Sequence, residues 1–462
     1  VAVGGASGFV GRALLPLLSR KFHVVALTRK GGPAQKEGAE AGSIEWRRCD
    51  LFSLLDAENA LAGADYAVYL VHHMMPAARL TQGSFADLDL ISADNFARAA
   101  RTAGIKQIVY LGGLIPEKEQ LSRHLESRLE VERALATSGV PVTSLRAGLI
   151  LGPGGSSFDI LVRLVGRLPA LLCPAWTATR TQPVALADVV AMIEAVLGDP
   201  ATFGQTADMG GPDVMTYREM LSRTAEVLKL KRPFFAFPFL TPRLSTLWVS
   251  LVTGAPRELV SPLVMSLRHP MVATNRSLQL AKIGPGVPFD EAVRRALPEG
   301  GRPSPGSSAL ARMQQRPSGN AVRSVQRLPL PTGWNASAVS HEYLKWLPSF
   351  TRPFLRVRIH PSGDCEFRFL GLWRPLLVLN FSEERSTHSR PLFYIRGGLL
   401  AEPHEKGRLE FREVLGGEAI LAAIHEFRPR LPWFIYVNTQ ARLHINVMRG
   451  FRKHLERIAN RG

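Results

Sequence analysis

The sequence predicts an α/β fold: a Rossmann-type doubly wound parallel sheet, followed by a smaller α+β domain. Three observations carry this. Short apolar runs alternate with amphipathic stretches through the first 150 residues, the turn GGASGFVG stands directly after the first run, and residues 334–462 change to strand-like pieces closed by one long helical pattern.

Taken in order, VAVGGA, HVVALT, ADYAVYLV, KQIVYLGG and PVTSLRAGLIL are short and rich in β-branched residues, as buried parallel strands are, and EWRRC reads as the third strand. FVGRALLPLLSR and LISADNFARAARTAG between them have helical spacing, so right-handed βαβ crossovers are expected. From about 151 to 300 the pattern loosens into helices and short loops, with RTQPVALADVVAMIEAVL a loop-to-helix element. That insertion is expected to supply the substrate side of a cleft, and 1–300 reads as one domain. Residues 301–333 are rich in Pro, Gly, Ser and Arg and read as a linker. Beyond it come a helix candidate, then FLRVRIH, CEFRFLG, PLLVLNF, PLFYIRGG, RLEFREVL and EAILAAIHEF, and last a helix whose Val447, Met448, Phe451, Leu455 and Ile458 share one face. A curved antiparallel sheet gripping that helix is the simplest packing.

Charge separates the two regions. Of the 57 Lys+Arg and 39 Asp+Glu, residues 301–462 hold 25 and 12, so 13 of the net +18 charges lie there. A basic domain suits an anionic membrane, nucleic acid or plain solubility. No helix-turn-helix, zinc spacing or RNP-like motif is present, so nucleic acid is not expected. Cys49, Cys173 and Cys365 are far apart and form no CxxC; no disulfide framework or metal site is expected, and a cytoplasmic location is. The opening Val1-Ala2-Val3 reads as a strand and not as a signal peptide.

The turn Gly5-Ala6-Ser7-Gly8-Phe9-Val10-Gly11 follows a strand and opens a helix. Gly5 permits the turn, Gly8 lets backbone approach a diphosphate, and Gly11 lets the helix pack on the strand. The anion then meets the helix N-terminus. Strand two ends Thr28-Arg29-Lys30 without an acidic residue, so Arg29 suits a 2′-phosphate and NADP is preferred to NAD. Asp50, followed by Leu51, is placed for the adenine edge, with a turn-capping role as the alternative. Val71 and His72 are placed to touch the cofactor through backbone. Adjacent His72 and His73 face opposite sides and so do not share one metal.

GGASGFVG, CDL, YLVHHM and RAGLILGPGG together resemble the short-chain dehydrogenase/reductase superfamily. IVYLGGL, LSRHLESRLEVERAL, GVPVTSLRAG, TRTQPVALADV and GGPDVMTYREM are similar to its atypical, NmrA-like NAD(P)-binding branch, over about residues 1–300. The resemblance implies a dinucleotide cofactor and a Ser or Thr after strand five, with Tyr-x-x-x-Lys on the next helix. Here strand five ends Leu111-Gly112-Gly113 and the helical pair is His124 and Arg128. An imidazole can exchange a proton near neutrality, so His124 is the candidate proton donor. Arg128 stays charged and can bind ribose or phosphate but relays no proton. Arg146 is either an ion-pair partner or a substrate anchor. The expectation is therefore an NADP-dependent oxidoreductase or epimerase-like enzyme acting on a small carbonyl or lipid-like compound. A dinucleotide-binding redox sensor or structural module is the alternative.

Residues 233–253, PFFAFPFLTPRLSTLWVSLVT, are interrupted by Pro238, Pro242 and Arg243, which argues against a spanning helix and for a lid or interdomain contact, with peripheral membrane contact as the alternative. The strand order and final helix of 334–462 faintly resemble the START-like helix-grip fold, which implies a small apolar ligand.

Overall fold

The computed structural model describes residues 1–29, 44–73, 78–116, 121–237, 241–297 and 321–460. The chain divides into two compact units, Val1–Met75 with Ser92–Gln315, and Pro76–Ile91 with Arg316–Gly462.

The first unit is built on β1 (Ala2–Gly4), α1 (Phe9–Leu18), β2 (Val24–Thr28), β3 (Ile44–Arg48), α2 (Leu54–Leu61) and β4 (Tyr66–Tyr69). After β5 (Leu80–Gln82), which belongs to the second unit, come α3 (Phe85–Thr102), β6 (Gln107–Gly113), α4 (Arg123–Ala136) and β7 (Val142–Ala147). The seven strands lie in the order Thr206–Met209, β7, β6, β4, β1, β2, β3, with every pairing parallel. Val3 pairs with Ala26 on one side and Val68 on the other. The chain winds outward from β1 through β2 and β3, then returns to build the other half from β4. The carboxyl ends of β1 and β4 are thus the switch point, where such sheets open a crevice.

α1 buries Leu14, Leu15 and Leu18, one helical face, against Val3, Val24 and Val68. The helix Leu186–Val196 covers the same side with Val189, Ile193 and Val196. The strand Thr206–Met209 lies within the stretch expected to be a helical insertion, yet it completes the main sheet, its Asp208 in register with Arg146. Its four residues were too few to stand out from the surrounding loops. Residues 233–253 are interrupted, as expected, and form no single helix. Phe234–Ala236 is a strand paired with Leu171–Cys173, and Pro242 opens the helix Pro242–Thr253 instead of breaking one, with the Thr241 hydroxyl accepting from the Leu244 amide at 3.4 Å. Pro238 lies outside the described residues. Among the described residues no helix is long and apolar enough to cross a membrane.

The second unit is an eight-stranded sheet in the order Leu355–Ile359, Cys365–Phe369, Leu377–Phe381, Leu392–Gly397, Arg408–Val414, Ala419–Phe427, Val322–Pro329, β5. All six strands expected beyond residue 334 are present. The sheet is mixed and not wholly antiparallel, because β5 runs parallel to Val322–Pro329, with Val322 opposite Leu80. The start of the expected linker 301–333 lies outside the described residues, but Val322–Pro329 is a ladder strand with Val322, Val325 and Leu328 buried. Its apolar periodicity was masked by the Pro- and Gly-rich sequence around it. The helix Gln440–Ala459 lays Val447, Met448, Phe451 and Leu455 into one core with Phe367, Phe411 and Ile420, joined there by Tyr343 of the helix Ala336–Phe350.

A charged cluster is buried in the same unit. Glu410 accepts from Arg390 Nε at 2.8 Å and from Arg412 Nη2 at 3.2 Å, and lies 3.2 Å from His425 Nε2. Burial opposes its ionisation, but Arg390 and Arg412 prevail and hold its carboxyl well below the usual range. Burial, reinforced by Arg408 and Arg323, pushes His425 down to about 4.

Candidate functional site: the crevice at the carboxyl ends of β1 and β4

The turn after β1 is shaped by how closely backbone passes backbone. Gly5 has φ +83°, and a Cβ there would stand 3.0 Å from the Leu70 carbonyl carbon and oxygen at the end of β4. A Cβ on Gly11 would come within 2.5 Å of the Gly5 carbonyl oxygen and 2.6 Å of that of Ala6. Only glycine fits either place. Gly8, whose amide donates to the Gly5 carbonyl at 2.9 Å, is the N-cap of α1. Ala6 and Val10 are buried, Ser7 and Gly8 are exposed, and the Phe9 ring covers Gly152 and Gly155. No side chain caps α1 and its first turn carries no acidic residue. Amide donors and dipole are therefore available to an anion, and the glycines leave room for a diphosphate. Nearby Arg12 donates from Nη1 to the Ser7 carbonyl at 2.8 Å.

Arg29 follows β2 and is exposed, one residue past buried Thr28. Asp50 caps its turn, its Oδ1 accepting from the Phe52 amide at 3.3 Å and its carbonyl from the Ser53 amide at 2.8 Å. Leu51 is buried and its carbonyl accepts from Asn95 Nδ2 at 2.7 Å. That bond ties the turn to α3.

Beyond β4 the chain passes Leu70, whose amide donates to the Gly4 carbonyl, then Val71 and the two histidines. His73 turns inward against Phe52, ring centroids 4.9 Å apart. His72 turns the other way, its ring 5.2 Å from that of His124 in the first turn of α4. Ser122 caps that helix by accepting from the Leu125 amide. Sequence reasoning placed each histidine near the cleft singly; that they face each other is a tertiary fact with no sequence signal. Among the described residues no cluster of three His, Cys, Asp or Glu could hold a metal.

Arg128 lies one turn beyond His124 but is buried, its side chain running along Gly113. Burial pushes its guanidinium down to about 10, opposed only in part by Tyr69. It therefore does not share a solvated face with His124. The Tyr110 hydroxyl donates to the Arg128 carbonyl at 3.1 Å, and the same ring would stand 2.8 Å from a Cβ on Gly112. Tyr110 thus fills the space that a Ser or Thr at 112 would need. Arg146 proves to be an ion-pair partner, binding Glu132 of α4 through Nε at 3.0 Å and Nη2 at 2.7 Å, which raises its pKa. The buried Tyr69–Tyr110 pair behind the cleft, 6.2 Å between centroids, was not singled out from sequence because strand tyrosines read as core.

Residues 5–162 match a family model described as NAD(P)H-binding. The chain is 28% identical over 123 residues, 27% of its length, to the auxiliary protein GraX of Staphylococcus aureus. It is 24% identical over 275 residues, 57% of its length, to the mitochondrial NADH dehydrogenase [ubiquinone] 1 alpha subcomplex subunit 9 of Arabidopsis thaliana. Those matches span 39% and 67% of the relatives' own lengths. Among solved structures it is similar to the Citrobacter sp. triphenylmethane reductase complexed with NADP(H), at TM-score 0.51 and 20% identity over 64% of this chain and 99% of that one. It is also similar to the NADPH-dependent quinone oxidoreductase QOR2 of Escherichia coli, at 0.51 and 19% over 63% and 98%. The first unit thus has a fold similar to that of these two reductases, and the stretch that matches the NAD(P)H-binding family model contains the glycine turn.

Proposed function

We propose that the first unit binds NADP(H) and reduces a small carbonyl, quinone-like or lipid-like compound, with His124 as proton donor. The observation that carries this reading is the His72–His124 pair at the carboxyl ends of the strands, beside the turn that fits a diphosphate. Gly5, Gly8 and Gly11, with the α1 N-terminus, hold the diphosphate. Arg29 favours a 2′-phosphate, while Leu51, Val71 and the backbone of His72 border the nucleotide. When bound, the nicotinamide supplies hydride chemistry. His124 gives its proton to the substrate oxygen as the carbonyl carbon is reduced, and recovers one from solvent. His72 holds the His124 ring in place. Buried Arg128 positions the first turns of α4 from beneath. The three buried cysteines are in keeping with a reducing, cytoplasmic setting.

One observation favours a second reading, a dinucleotide-binding sensor without turnover: Gly112 and Gly113 offer no hydroxyl where the resembling enzymes have one. NADPH oxidation by the wild type with quinones and aldehydes, abolished in His124→Phe while NADPH affinity is kept, supports the enzyme. Equal rates in both proteins leave the sensor.

A further inference from the structure

The second unit ends, at the turn between Cys365–Phe369 and Leu377–Phe381, in an apolar tip that no described residue covers. Trp373 is 95% exposed, and Leu370 and Leu372 beside it are also exposed. Gly371, at φ +82° with open space around it, makes the turn that presents them. The neighbouring strand reaches the same end, where the Leu370 amide donates to the Phe354 carbonyl at 2.8 Å. Exposed Phe354 stacks on Phe369, centroids 5.9 Å apart and planes 12° from parallel. Four residues before Phe354, Phe350 stacks on Trp346 at 4.6 Å and floors a groove of about 480 Å³ against Gly450. A Cβ on Gly450 would stand 3.0 Å from the Phe350 ring, so glycine lets the rings lie on the terminal helix.

Cations surround these side chains. Arg352, Arg356 and Arg374 are exposed beside the tip, and Arg449, Lys453 and Arg457 line the groove at helical spacing. None of the six makes an ion pair with a described residue. Elsewhere on the same elements Arg368 pairs with Glu366 and Arg452 with Glu456.

We infer that this tip and groove form a docking surface for an anionic phospholipid bilayer. A projecting loop of Leu and Trp gains by entering the headgroup boundary, where an indole has both an apolar and a wet side. A ring of unpaired arginines and lysine complements anionic headgroups. Single-stranded nucleic acid is the weaker occupant, because bases stack on aromatic platforms and draw nothing from Leu370 and Leu372 at a convex tip. The inference is independent of the chemistry proposed for the first unit.

The test is co-sedimentation of the full chain with phosphatidylcholine vesicles prepared with and without phosphatidylserine. Binding is expected only with phosphatidylserine and is expected to weaken with salt. Leu372→Ala with Trp373→Ala should lower the partition coefficient at least tenfold. Arg352→Ala and Arg374→Ala should each lower it about fivefold. All these positions are exposed, so circular dichroism melting should match the wild type. Absence of binding to phosphatidylserine vesicles overturns the inference. So does binding unchanged in the Leu372/Trp373 variant, or retention of oligo-dT through the same residues without vesicle binding.

Discussion

The rings of His72 and His124, from the end of β4 and the start of α4, stand 5.2 Å apart and tilted by 46°. Two separate βα connections thus deliver one imidazole each to the switch point of the sheet, beside the glycine turn. His124→Phe keeps a ring of similar size against His72 but carries no proton. The variant should lower kcat about a hundredfold or more with NADPH affinity unchanged, as removal of a general acid does. Steady-state kinetics beside a binding titration check it, and a parallel loss of affinity would point to a structural role.

Glu410 is the counter-charge for two buried arginines. Glu410→Gln keeps the shape but leaves Arg390 and Arg412 without it, at a cost of about 3–5 kcal/mol in the stability of the second unit. Urea denaturation followed by circular dichroism should show an earlier transition in the variant. An unchanged midpoint would mean that the arginines are neutralised by other groups.

His425 gives the second unit an acid-sensitive window. Its folded pKa is about 4 against an ordinary value of 6.5, so unfolding takes up a proton between the two. The neutral form's contribution is complete above about pH 6.5 and is lost as pH falls towards about 4, at about 1.4 kcal/mol per pH unit and about 3 kcal/mol in all. Glu410, also lowered, adds a loss of the same sign below its ordinary 4.5. Thermal midpoints across that window should fall steadily; a level profile contradicts the assignment.

Arg29 follows β2 at the surface, and the proposed NADP site puts the ribose 2′ substituent beside it. Arg29→Glu should lower NADPH affinity at least tenfold while NADH binding holds or improves, since a carboxylate repels a phosphate and accepts from a hydroxyl. Competitive titration of the two cofactors measures the ratio. An unchanged ratio would remove Arg29 from the cofactor site.

The parallel sheet and its glycine turn were legible because buried parallel strands are continuous apolar runs and because Gly5 and Gly11 answer backbone contacts that only glycine permits. β5 was not legible. Three residues, Leu80–Gln82, carry no periodicity, and their partner strand begins at Val322, far along the chain. Val322–Pro329 was hidden by the composition of its surroundings, and Thr206–Met209 by its length. At the site, the residue types were readable and their relations were not. His124 and Arg128 are one helical turn apart in sequence, but the packing of Tyr110 and Gly113 decides that Arg128 is buried while His124 stays half-buried beside His72.

The proposed cofactor site needs a diphosphate seated at the N-terminus of α1, and Ser7→Asp tests that most directly. Ser7 is exposed just before the N-cap, so an aspartate there leaves the fold intact, and the helix dipole favours it. The same carboxylate would repel a bound diphosphate. Isothermal titration of the full chain should show NADPH binding at micromolar or tighter affinity, weakened at least tenfold in Ser7→Asp with thermal stability retained. Wild-type protein that binds neither NADPH nor NADH, or a variant that binds as tightly as the wild type, would contradict it.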